Sequence, residues 1–336
     1  MSTYSARQIH LVSRPAGMPE HDNFKMVEVE LTPPETGEVL VKNLYMSVDP
    51  YMRGRMRADA VYAQAYGLNE VMYGGAVGEV VESADSSLQA GDIVLNGAAW
   101  QDKFVAKANT LSKLEPFDRD QLSLYMGTLG MPGLTSYVGL FKFGEPKEGE
   151  TVFVSAASGA VGANVCQIAK LKGCRVIGSV GSDAKAQWLL NECGVDAVIN
   201  YKTCGDLTKA LADAAPDGVD VYFENVGGDH LQAALEAMNP YGRIAACGMI
   251  ASYNNSEPAP GPNNLMLIVG KKIRINGFIV SDHGEMRDEF LSEMIPWIQQ
   301  GKIKSRETVV DGLENAVDAF LGLFSGENFG KMVVKI

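Results

Sequence analysis

The segment VSAASGAVGANVCQIAKLKG, residues 154–173, decides the fold of the second half of the chain. It begins at the end of an apolar run, passes through Gly159 and Gly162, and continues with apolar residues at helical spacing. Two glycines alone do not distinguish a phosphate-binding turn from a small-residue turn that starts a helix. The surrounding sequence therefore has to decide between these two interpretations.

Strand-like and helix-like segments alternate after this turn. The predicted strands are ETVFVSAA before it and CRVIGSV, DAVINY, VDVYFENVGG, GRIAACG and KIRINGFIV after it. The predicted helices between them are SDAKAQWLLNECG, with Ser182 or Asp183 as N-cap and Gly194 as the stop, LTKALADAA and DHLQAALEAM. This alternation is typical of an α/β fold with a doubly wound parallel sheet.

In that context the glycine turn has a binding mechanism. A pyrophosphate placed there would meet free backbone N–H groups and the positive end of a helix dipole. Gly159 would let the backbone approach the phosphates, and Gly162 would let the helix pack closely on the sheet. Ala157 stands where the first glycine of the fingerprint would be, which a tight turn accepts if φ is negative there. The sequence therefore predicts a dinucleotide site.

The second predicted strand favours NADP over NAD. An NAD site places Asp or Glu at the end of this strand to hold the ribose 2′-hydroxyl, but the segment here reads GSVGS, residues 178–182. Lys185 follows one helical turn later, where it could pair with a 2′-phosphate. Asp183 is the one carboxylate nearby, and we interpret it as a helix N-cap.

The first half of the chain has a different pattern. The segments EVLVKNLYMSV and GGAVGEVVESADSSLQAGDIVLN alternate short Val-rich runs with Gly, Ser and Asp turns, which indicates a compact, barrel-like β domain. We divide the 336 residues into a β domain at 1–122, a dinucleotide-binding domain at 123–300, and a segment at 301–336 that returns to the first domain.

Composition excludes several classes of partner. The net charge of −12 argues against a nucleic-acid backbone or an anionic membrane as the main partner. The five cysteines show no CxxC and no disulfide spacing, so we expect free thiols in a reducing cytoplasm. We also expect no signal peptide and no membrane span, because the N-terminus lacks an apolar h-region and no apolar run approaches about 18 residues.

Seven segments together resemble one known family along nearly the whole chain. They are VDPYMRGRM (48–56), AASGAVG (156–162), QIAKLKGCRVIGSVGSDAK (167–185), NYK (200–202), FENVGG (223–228), CGMIASYN (247–254) and NFGKMVVKI (328–336). The chain resembles a zinc-independent medium-chain dehydrogenase/reductase of the leukotriene B4 dehydrogenase/prostaglandin reductase group, which includes curcumin and double-bond reductases. The resemblance implies a Rossmann domain with a GroES-like β-barrel domain, and a homodimer.

Neither the residues nor the resemblance indicates a metal. The related zinc enzymes carry a catalytic Cys and a Gly-His-Glu segment in the first domain. Here YGGAVGEV (73–80) stands where Gly-His-Glu would be, and the first 165 residues contain no cysteine. The histidines are scattered as His10, His21, His230 and His283. Zinc needs three or four converging ligands, so we expect metal-free chemistry.

The resemblance also implies a reaction. NADPH would deliver hydride to the β-carbon of an α,β-unsaturated ketone or aldehyde, and negative charge would develop on the carbonyl oxygen. A hydroxyl directed at that oxygen would stabilise the transition state. One candidate donor is the nicotinamide ribose 2′-hydroxyl, and the other is a tyrosine hydroxyl. By resemblance, Tyr51 and Tyr253 match positions that line the substrate site in similar reductases. Arg53 could be structural or could meet a substrate carboxylate, and Tyr62, Tyr66 and Tyr73 are weaker candidates for the wall of the site.

The resemblance assigns further residues to the cofactor. Besides Lys185, they include Tyr201 near the 2′-phosphate, Asn225 near the nicotinamide, and Asn328 from the returning tail. Backbone contacts are expected from three segments: Gly159, Ala160, Val161 and Gly162; Cys247, Gly248, Met249, Ile250, Ala251, Ser252 and Tyr253; and Phe278, Ile279 and Val280. Met266, Leu267 and Val269 form either a pocket wall or core.

Two alternatives to an enone reductase stay open on the sequence alone. A quinone reductase would use the same fold and cofactor with a wider pocket. A sensor would bind NADPH and turn over no acceptor. For the homodimer, the apolar strands GRIAACG and RINGFIV are candidates for pairing across a two-fold axis.

Overall fold

The computed structural model describes residues 3–60 and 63–336, so the candidate Tyr62 lies outside the described residues. The chain divides into two compact units. The first holds the described residues up to Met126 together with Glu307–Asn328 and Met332–Ile336, and the second holds Gly127–Arg306 and Phe329–Lys331. The units therefore divide after residues 126 and 306, whereas the sequence-based division placed its boundaries after residues 122 and 300.

The strands of the described residues alternate with helices mainly in the second unit. In chain order they are β1 (Tyr4–Leu11), β2 (Phe24–Leu31), β3 (Glu38–Ser47), β4 (Glu70–Val71), β5 (Ala76–Ser83), β6 (Ile93–Asn96), β7 (Lys103–Lys107), β8 (Ser112–Leu114), β9 (Thr151–Val154), β10 (Arg175–Val180), β11 (Ala197–Asn200), β12 (Val219–Glu224), β13 (Met238–Ala246), β14 (Arg274–Gly277), β15 (Glu307–Asp311) and β16 (Lys331–Lys335).

The α-helices are mostly short, from four to thirteen residues. In chain order they are α1 (Met52–Arg55), α2 (Met131–Val138), α3 (Gly162–Leu171), α4 (Asp183–Asn191), α5 (Leu207–Ala214), α6 (Gly228–Ala237), α7 (Met266–Lys271), α8 (Arg287–Gln299) and α9 (Ala316–Ser325). Of the described helices, none is both long and apolar enough to cross a membrane.

The second unit is built on a six-stranded sheet with the order β11-β10-β9-β12-β13-β14. Every pairing in it is parallel, which confirms the predicted doubly wound sheet. The order corresponds to 3-2-1-4-5-6 in chain sequence, the dinucleotide-binding arrangement of α/β folds. Phe153, Ile177 and Tyr222 from three adjacent strands are completely buried in its core.

Two predicted strands differ in extent from the observed ones. The strand predicted as GRIAACG begins earlier, at Met238, and lies between β12 and β14. The strand predicted as KIRINGFIV stops at Gly277, because Val280–Met286 forms a 3-10 helix that takes the chain away from the sheet.

The first unit contains the predicted β domain. Its larger sheet has the order β15-β16-β3-β5-β6-β8. Strand β3 organises this sheet: one edge pairs with β5, while the other pairs first with β7 and then, at its last residues, with β16. The pairing of β3 with β16 joins the last residues of the chain to the first unit. A smaller sheet has the order β2-β1-β4.

Candidate functional site

The glycine turn lies at the point where the strand order of the six-stranded sheet reverses. Strands β9 and β12 are neighbours. The connection that follows β9 leads to β10 on one side, and the connection that follows β12 leads to β13 on the other side. In open α/β sheets ligands bind outside the carboxyl ends of the strands at this point. We call residues 155–162, 181–185, 225–228 and 247–253, which follow four neighbouring strands, the carboxyl edge.

The turn itself is strained at an alanine. Ala156 has φ +47°, in the left-handed region that favours glycine. From the sequence, Ala157 was expected to take the place of the first glycine of the fingerprint. The Ala156 carbonyl accepts from the Gly159 N–H at 2.9 Å. A Cβ on Gly162 would lie 2.4 Å from that same carbonyl oxygen. Gly162 therefore permits the close packing of α3 on the turn that the sequence suggested.

Backbone donors of this turn point to a ligand. In the part of the chain that the structure describes, the N–H groups of Ala160 and Val161 have no backbone acceptor. They immediately precede α3, so the helix dipole adds to their positive field. Polar backbone groups in a folded protein are nearly always paired or solvated, and here an anion would pair them.

The C-terminal tail covers the other side of the turn. The Gly330 N–H donates to the Ser158 carbonyl at 3.0 Å, and Gly330 forms a parallel bridge with Gly159. Gly330 has φ +70°, and a Cβ there would lie 1.8 Å from the Arg306 carbonyl oxygen, so a larger residue cannot replace it without movement. The preceding Phe329 packs edge-on against Trp188 of α4.

Two lysines and a tyrosine converge at the end of β10. A Cβ on Gly181 would lie 2.9 Å from the Tyr201 hydroxyl oxygen and 3.3 Å from Lys202 Cε. Burial, and secondly the charge of Lys202, lower the pKa of Lys185. Two like charges around one hydroxyl form a suitable site for an anion. The structure thus brings the predicted Lys185 and Tyr201 together and adds Lys202, which the sequence reasoning missed.

The helix cap beside this cluster is Ser182. Its side chain accepts from the Lys185 N–H, so Ser182 is the N-cap of α4. The interpretation of Asp183 as the N-cap was wrong: Asp183 Oδ1 instead accepts from Asn200 Nδ2 at 2.7 Å, which joins α4 to the end of β11.

His230 supports the tyrosine of this cluster from below. Its ring lies edge-on to the Tyr201 ring with centroids 5.2 Å apart, and its Nε2 is 2.8 Å from Ser179 Oγ. Burial lowers the pKa of His230 to about 4, so the imidazole is neutral at pH 7. A neutral, fixed ring leaves the positive charge at this position to the lysines.

The segments predicted to hold the nicotinamide also come together. The Asn225 carbonyl accepts from Ile250 N–H at 3.2 Å, and the Val226 carbonyl accepts from Ala251 N–H at 3.0 Å. The Tyr253 hydroxyl lies 3.4 Å from the Met249 nitrogen. Residues 247–253 thus form one loop, fastened to the turn that follows β12.

The remaining predicted cofactor residues flank this loop. Phe278 follows β14 and stacks on Phe143 with centroids 5.0 Å apart; Ile279 and Val280 begin the 3-10 helix beyond it. Asn328 directly precedes the residues of the tail that cover the glycine turn.

Three tyrosines of the first unit lie around one arginine. Tyr51 is the N-cap of α1, and the Arg55 guanidinium lies 5.9 Å from its ring centroid, 5.4 Å from that of Tyr66 and 4.1 Å from that of Tyr73. Tyr66 and Tyr73 donate to the carbonyls of Tyr73 and Gln64. These bonds give both hydroxyls a structural role.

Arg53 also has a structural role. It is 1% exposed and donates to the carbonyls of Pro15 and Gly17. Its guanidinium therefore fastens the loop that contains these residues. The alternative of a substrate carboxylate has no support from this geometry.

The apolar segment before β14 is mostly exposed. Met266 is 78% and Val269 71% exposed, while Leu267 packs against the core of the second unit. The core interpretation therefore fits only Leu267. Within residues 3–60 and 63–336 no cluster of three or more His, Cys, Asp or Glu side chains could hold a metal ion.

Two protein-family models match the chain. One, described as the N-terminal domain of oxidoreductase, covers residues 7–114, and the other, described as zinc-binding dehydrogenase, covers residues 160–300. These matches fall in the β unit and in the unit with the parallel sheet, respectively.

The chain is also similar to characterised enzymes over its full length. It is 45% identical to the NADP(+)-dependent 2-alkenal reductase of Nicotiana tabacum, covering 99% of this chain and 98% of that one. It is 45% identical to prostaglandin reductase 1 of Bos taurus, covering 95% of each. The crystal structure of CurA in complex with NADPH from Vibrio vulnificus matches with a TM-score of 0.93 and 42% identity, covering 98% of each chain.

Proposed function

We propose, from the premise that the chain belongs to the leukotriene B4 dehydrogenase/prostaglandin reductase group of the medium-chain dehydrogenase/reductases, that it reduces the C=C bond of α,β-unsaturated ketones and aldehydes with NADPH. The carboxyl edge supports the part of the proposal that concerns NADPH. There a helix N-terminus and the cluster of Lys185, Tyr201 and Lys202 would supply two separate anion sites. The relatives named for 2-alkenals and prostaglandins support the substrate class.

The residues of the second unit fit a dinucleotide phosphate. The N–H groups of Ala160 and Val161 would hold the pyrophosphate, and Lys185, Tyr201 and Lys202 would hold the 2′-phosphate. The loop 247–253 and Asn225 would orient the nicotinamide. When bound, NADPH supplies the hydride that goes to the β-carbon.

The protein's own contribution to the chemical step is a hydrogen-bond donor. As the β-carbon receives hydride, charge moves to the carbonyl oxygen, and a fixed hydroxyl stabilises that charge more than it stabilises the ground state. We propose Tyr51 or Tyr253 as this donor. The arginine beside Tyr51 has the sign that favours an electron-rich oxygen nearby.

Steady-state kinetics test this function. NADPH oxidation is measured with simple enones, 2-alkenals, a diaryl dienone and quinones, with NADH in parallel. Enone-dependent oxidation of NADPH supports the proposal. Turnover of quinones alone would identify a quinone reductase, and tight NADPH binding without turnover would identify a sensor.

Variants assign the donor. Removing one hydroxyl that contacts the developing charge should lower kcat about 10²-fold with little change in KM. Tyr51→Phe and Tyr253→Phe are compared with Tyr241→Phe, whose ring is 67% exposed. If both variants keep wild-type kcat, neither tyrosine is the donor.

We further propose a homodimer formed through β14. Among the described strands β14 lies at the end of its sheet, pairing only with β13; the alternative GRIAACG is excluded because β13 has neighbours on both sides. Next to this edge, Leu265, Met266, Val269 and Ile275 expose apolar side chains. Unpaired strand edges and apolar patches are typical of symmetric interfaces.

The oligomeric state tests the dimer. Light scattering coupled to gel filtration should give twice the mass of the 36.1 kDa chain. Ile275→Lys should give a monomer, and Val309→Lys, at an equally exposed valine of β15, should not. A monomeric wild type would refute the proposal.

We also place the protein in the cytoplasm. This rests on the five cysteines, which are all free thiols. Fractionation of cells that express a tagged chain tests it, and recovery in an oxidising compartment would contradict it.

A further inference from the structure

A buried carboxyl group lies beneath the nicotinamide half of the carboxyl edge. Glu224, the last residue of β12, is 0% exposed. Its Oε1 accepts from the N–H groups of Val226 at 2.6 Å and Gly227 at 2.9 Å, and from Ser155 Oγ at 3.1 Å. One oxygen therefore joins the residue after β9 to the turn that leads into α6.

This carboxyl belongs to a larger network. Ser155 Oγ accepts from the Asn225 N–H at 2.9 Å and from the Tyr222 hydroxyl at 3.1 Å, while Asn225 Nδ2 donates to the Ser155 carbonyl at 2.8 Å. The Glu224 carbonyl accepts from the N–H groups of Cys247 and Gly248. Both segments proposed to orient the nicotinamide are thus held from behind at Glu224.

The other carboxyl oxygen of Glu224 indicates that this residue acts as a hydrogen-bond acceptor and not as a charge. Within the described residues Glu224 Oε2 is buried and has no hydrogen-bond partner. Burial raises the pKa of the Glu224 carboxyl. All the side-chain contacts of Glu224 that join segments are made by Oε1, and a neutral acid or an amide keeps an oxygen acceptor at that position.

We propose that Glu224 is a positioning residue of the enzyme, which sets the nicotinamide end of the cofactor site through hydrogen bonds accepted at Oε1 and not through its charge. Its side chain contacts the turn 225–228, to which the loop 247–253 is fastened through the Asn225 and Val226 carbonyls, and it acts on the cofactor through them. This inference rests on the proposed function, because it assumes that Asn225 and the loop 247–253 face the nicotinamide.

The same strand provides a matched control. Asp220, at the opposite end of β12, accepts from the Thr151 N–H at 2.9 Å and from Asn239 Nδ2 at 2.9 Å. It too joins β12 to β9, but at the edge of the sheet away from the glycine turn. Asp220→Ala therefore removes a comparable cross-strand carboxylate without touching the proposed site.

The experiment compares Glu224→Gln, Glu224→Ala and Asp220→Ala with the wild type. NADPH and 2′,5′-ADP affinities are measured by titration, and kcat/KM is measured with an enone. Glu224→Ala should lose about 10–100-fold in kcat/KM and in NADPH affinity, because buried N–H donors lose their acceptor, while 2′,5′-ADP affinity stays within about 3-fold. Glu224→Gln and Asp220→Ala should stay within about 3-fold of wild type throughout.

Several outcomes would overturn the inference. Wild-type NADPH affinity and kcat/KM in Glu224→Ala would remove the role, and equal losses for NADPH and 2′,5′-ADP would show a general structural effect. A Glu224→Gln variant as impaired as Glu224→Ala would show that charge is required. If Glu224→Ala does not fold, Glu224→Asp, which keeps the charge but shortens the reach, decides: wild-type behaviour refutes the proposal.

The proposed function can fail separately from this inference. A wild type that binds no NADPH, or that binds it without reducing any enone, would refute the function itself. If the wild type binds NADPH but reduces no enone, the comparison of NADPH with 2′,5′-ADP across the variants would still measure whether Glu224 shapes one half of a binding site.

Discussion

The two edges of the six-stranded sheet contain similar groups in different states. At the amino edge, residues 144–151, 217–220 and 239–243, two charged side chains meet complements: Arg243 pairs with Glu150 and with the carbonyls of Gly144 and Glu145, and Asp220 accepts two hydrogen bonds. Backbone strain does not separate the edges, because Glu145 and Tyr241 at the amino edge have positive φ, as Ala156 has at the carboxyl edge. At the carboxyl edge, the like charge of Lys202 lies close enough to lower the pKa of Lys185.

This difference between the two edges indicates where a ligand is expected. Like charges held close together lower stability unless a function retains them, and natural proteins collect such features at their sites. Here they lie at the edge where parallel sheets bind ligands. The following predictions alter one edge at a time.

The largest effect is expected from Gly162→Ala. The new Cβ would lie 2.4 Å from the Ala156 carbonyl oxygen, so the turn must move away from α3. Overpacking of this kind costs about 1–3 kcal/mol, and NADPH affinity should fall about 100-fold. Fluorescence titration with NADPH measures it.

The control for this substitution is Gly270→Ala in α7. No atom lies within 4 Å of a Cβ at that position, so its NADPH affinity should equal that of the wild type. Unchanged affinity in Gly162→Ala would mean that the carboxyl edge has the same tolerance as an ordinary surface.

Smaller but more specific effects are expected from Lys185→Met and Lys202→Met. Each removes one charge-assisted contact of about 1.5–3 kcal/mol with the 2′-phosphate, so the preference for NADPH over NADH should fall about 10–100-fold. The ratio of kcat/KM values for the two cofactors measures it, and activity with NADH should be retained.

Lys209→Met is the matched control for the lysines. Lys209 is exposed on α5 and pairs with Asp213 one helical turn away, so its loss should leave the cofactor preference unchanged. A preference that survives in both Lys185→Met and Lys202→Met would place the 2′-phosphate elsewhere.

These residues show what the sequence can and cannot predict. Gly159, Gly162 and the alternation of strands and helices are local patterns, so they could be predicted from spacing alone. Lys202 lies near Lys185 because β10 and β11 pair in parallel, and Glu224 contacts Ser155 because β9 and β12, which are distant in sequence, are neighbours in the sheet. Such pairs carry no local signal, although the strand order 3-2-1-4-5-6 would have brought them together.

The pH dependence of the stability should report on the neutral His230, which packs against Tyr201. The folded pKa of His230, about 4, lies below the value of about 6.5 for an unfolded chain. The unfolded state therefore binds more protons between these values, and stability is lost as pH falls from about 6.5 to about 4, by up to ~3 kcal/mol.

Thermal unfolding from pH 7.5 to pH 4.5 measures this slope. His230→Gln should be less stable at pH 7.5 but should lose less stability on acidification than the wild type. Equal slopes in wild type and His230→Gln would show that His230 does not contribute.

The smallest expected effect concerns the thiols, which should not differ between the two edges. Burial raises the pKa of Cys174, which directly precedes β10, to about 11, and that of Cys247, at the carboxyl edge, to about 12. At pH 8 a thiol with a pKa of about 12 is ionised in only about one molecule in 10⁴, so its reaction with a disulfide reagent is slow. Native protein should therefore release at most one equivalent of thiol rapidly, from the partly exposed Cys204, and Cys247→Ser should keep wild-type kcat. Rapid labelling of Cys247 with loss of activity would instead indicate a reactive thiol among the residues that orient the nicotinamide, and the two edges would then differ in thiol chemistry as well as in charge.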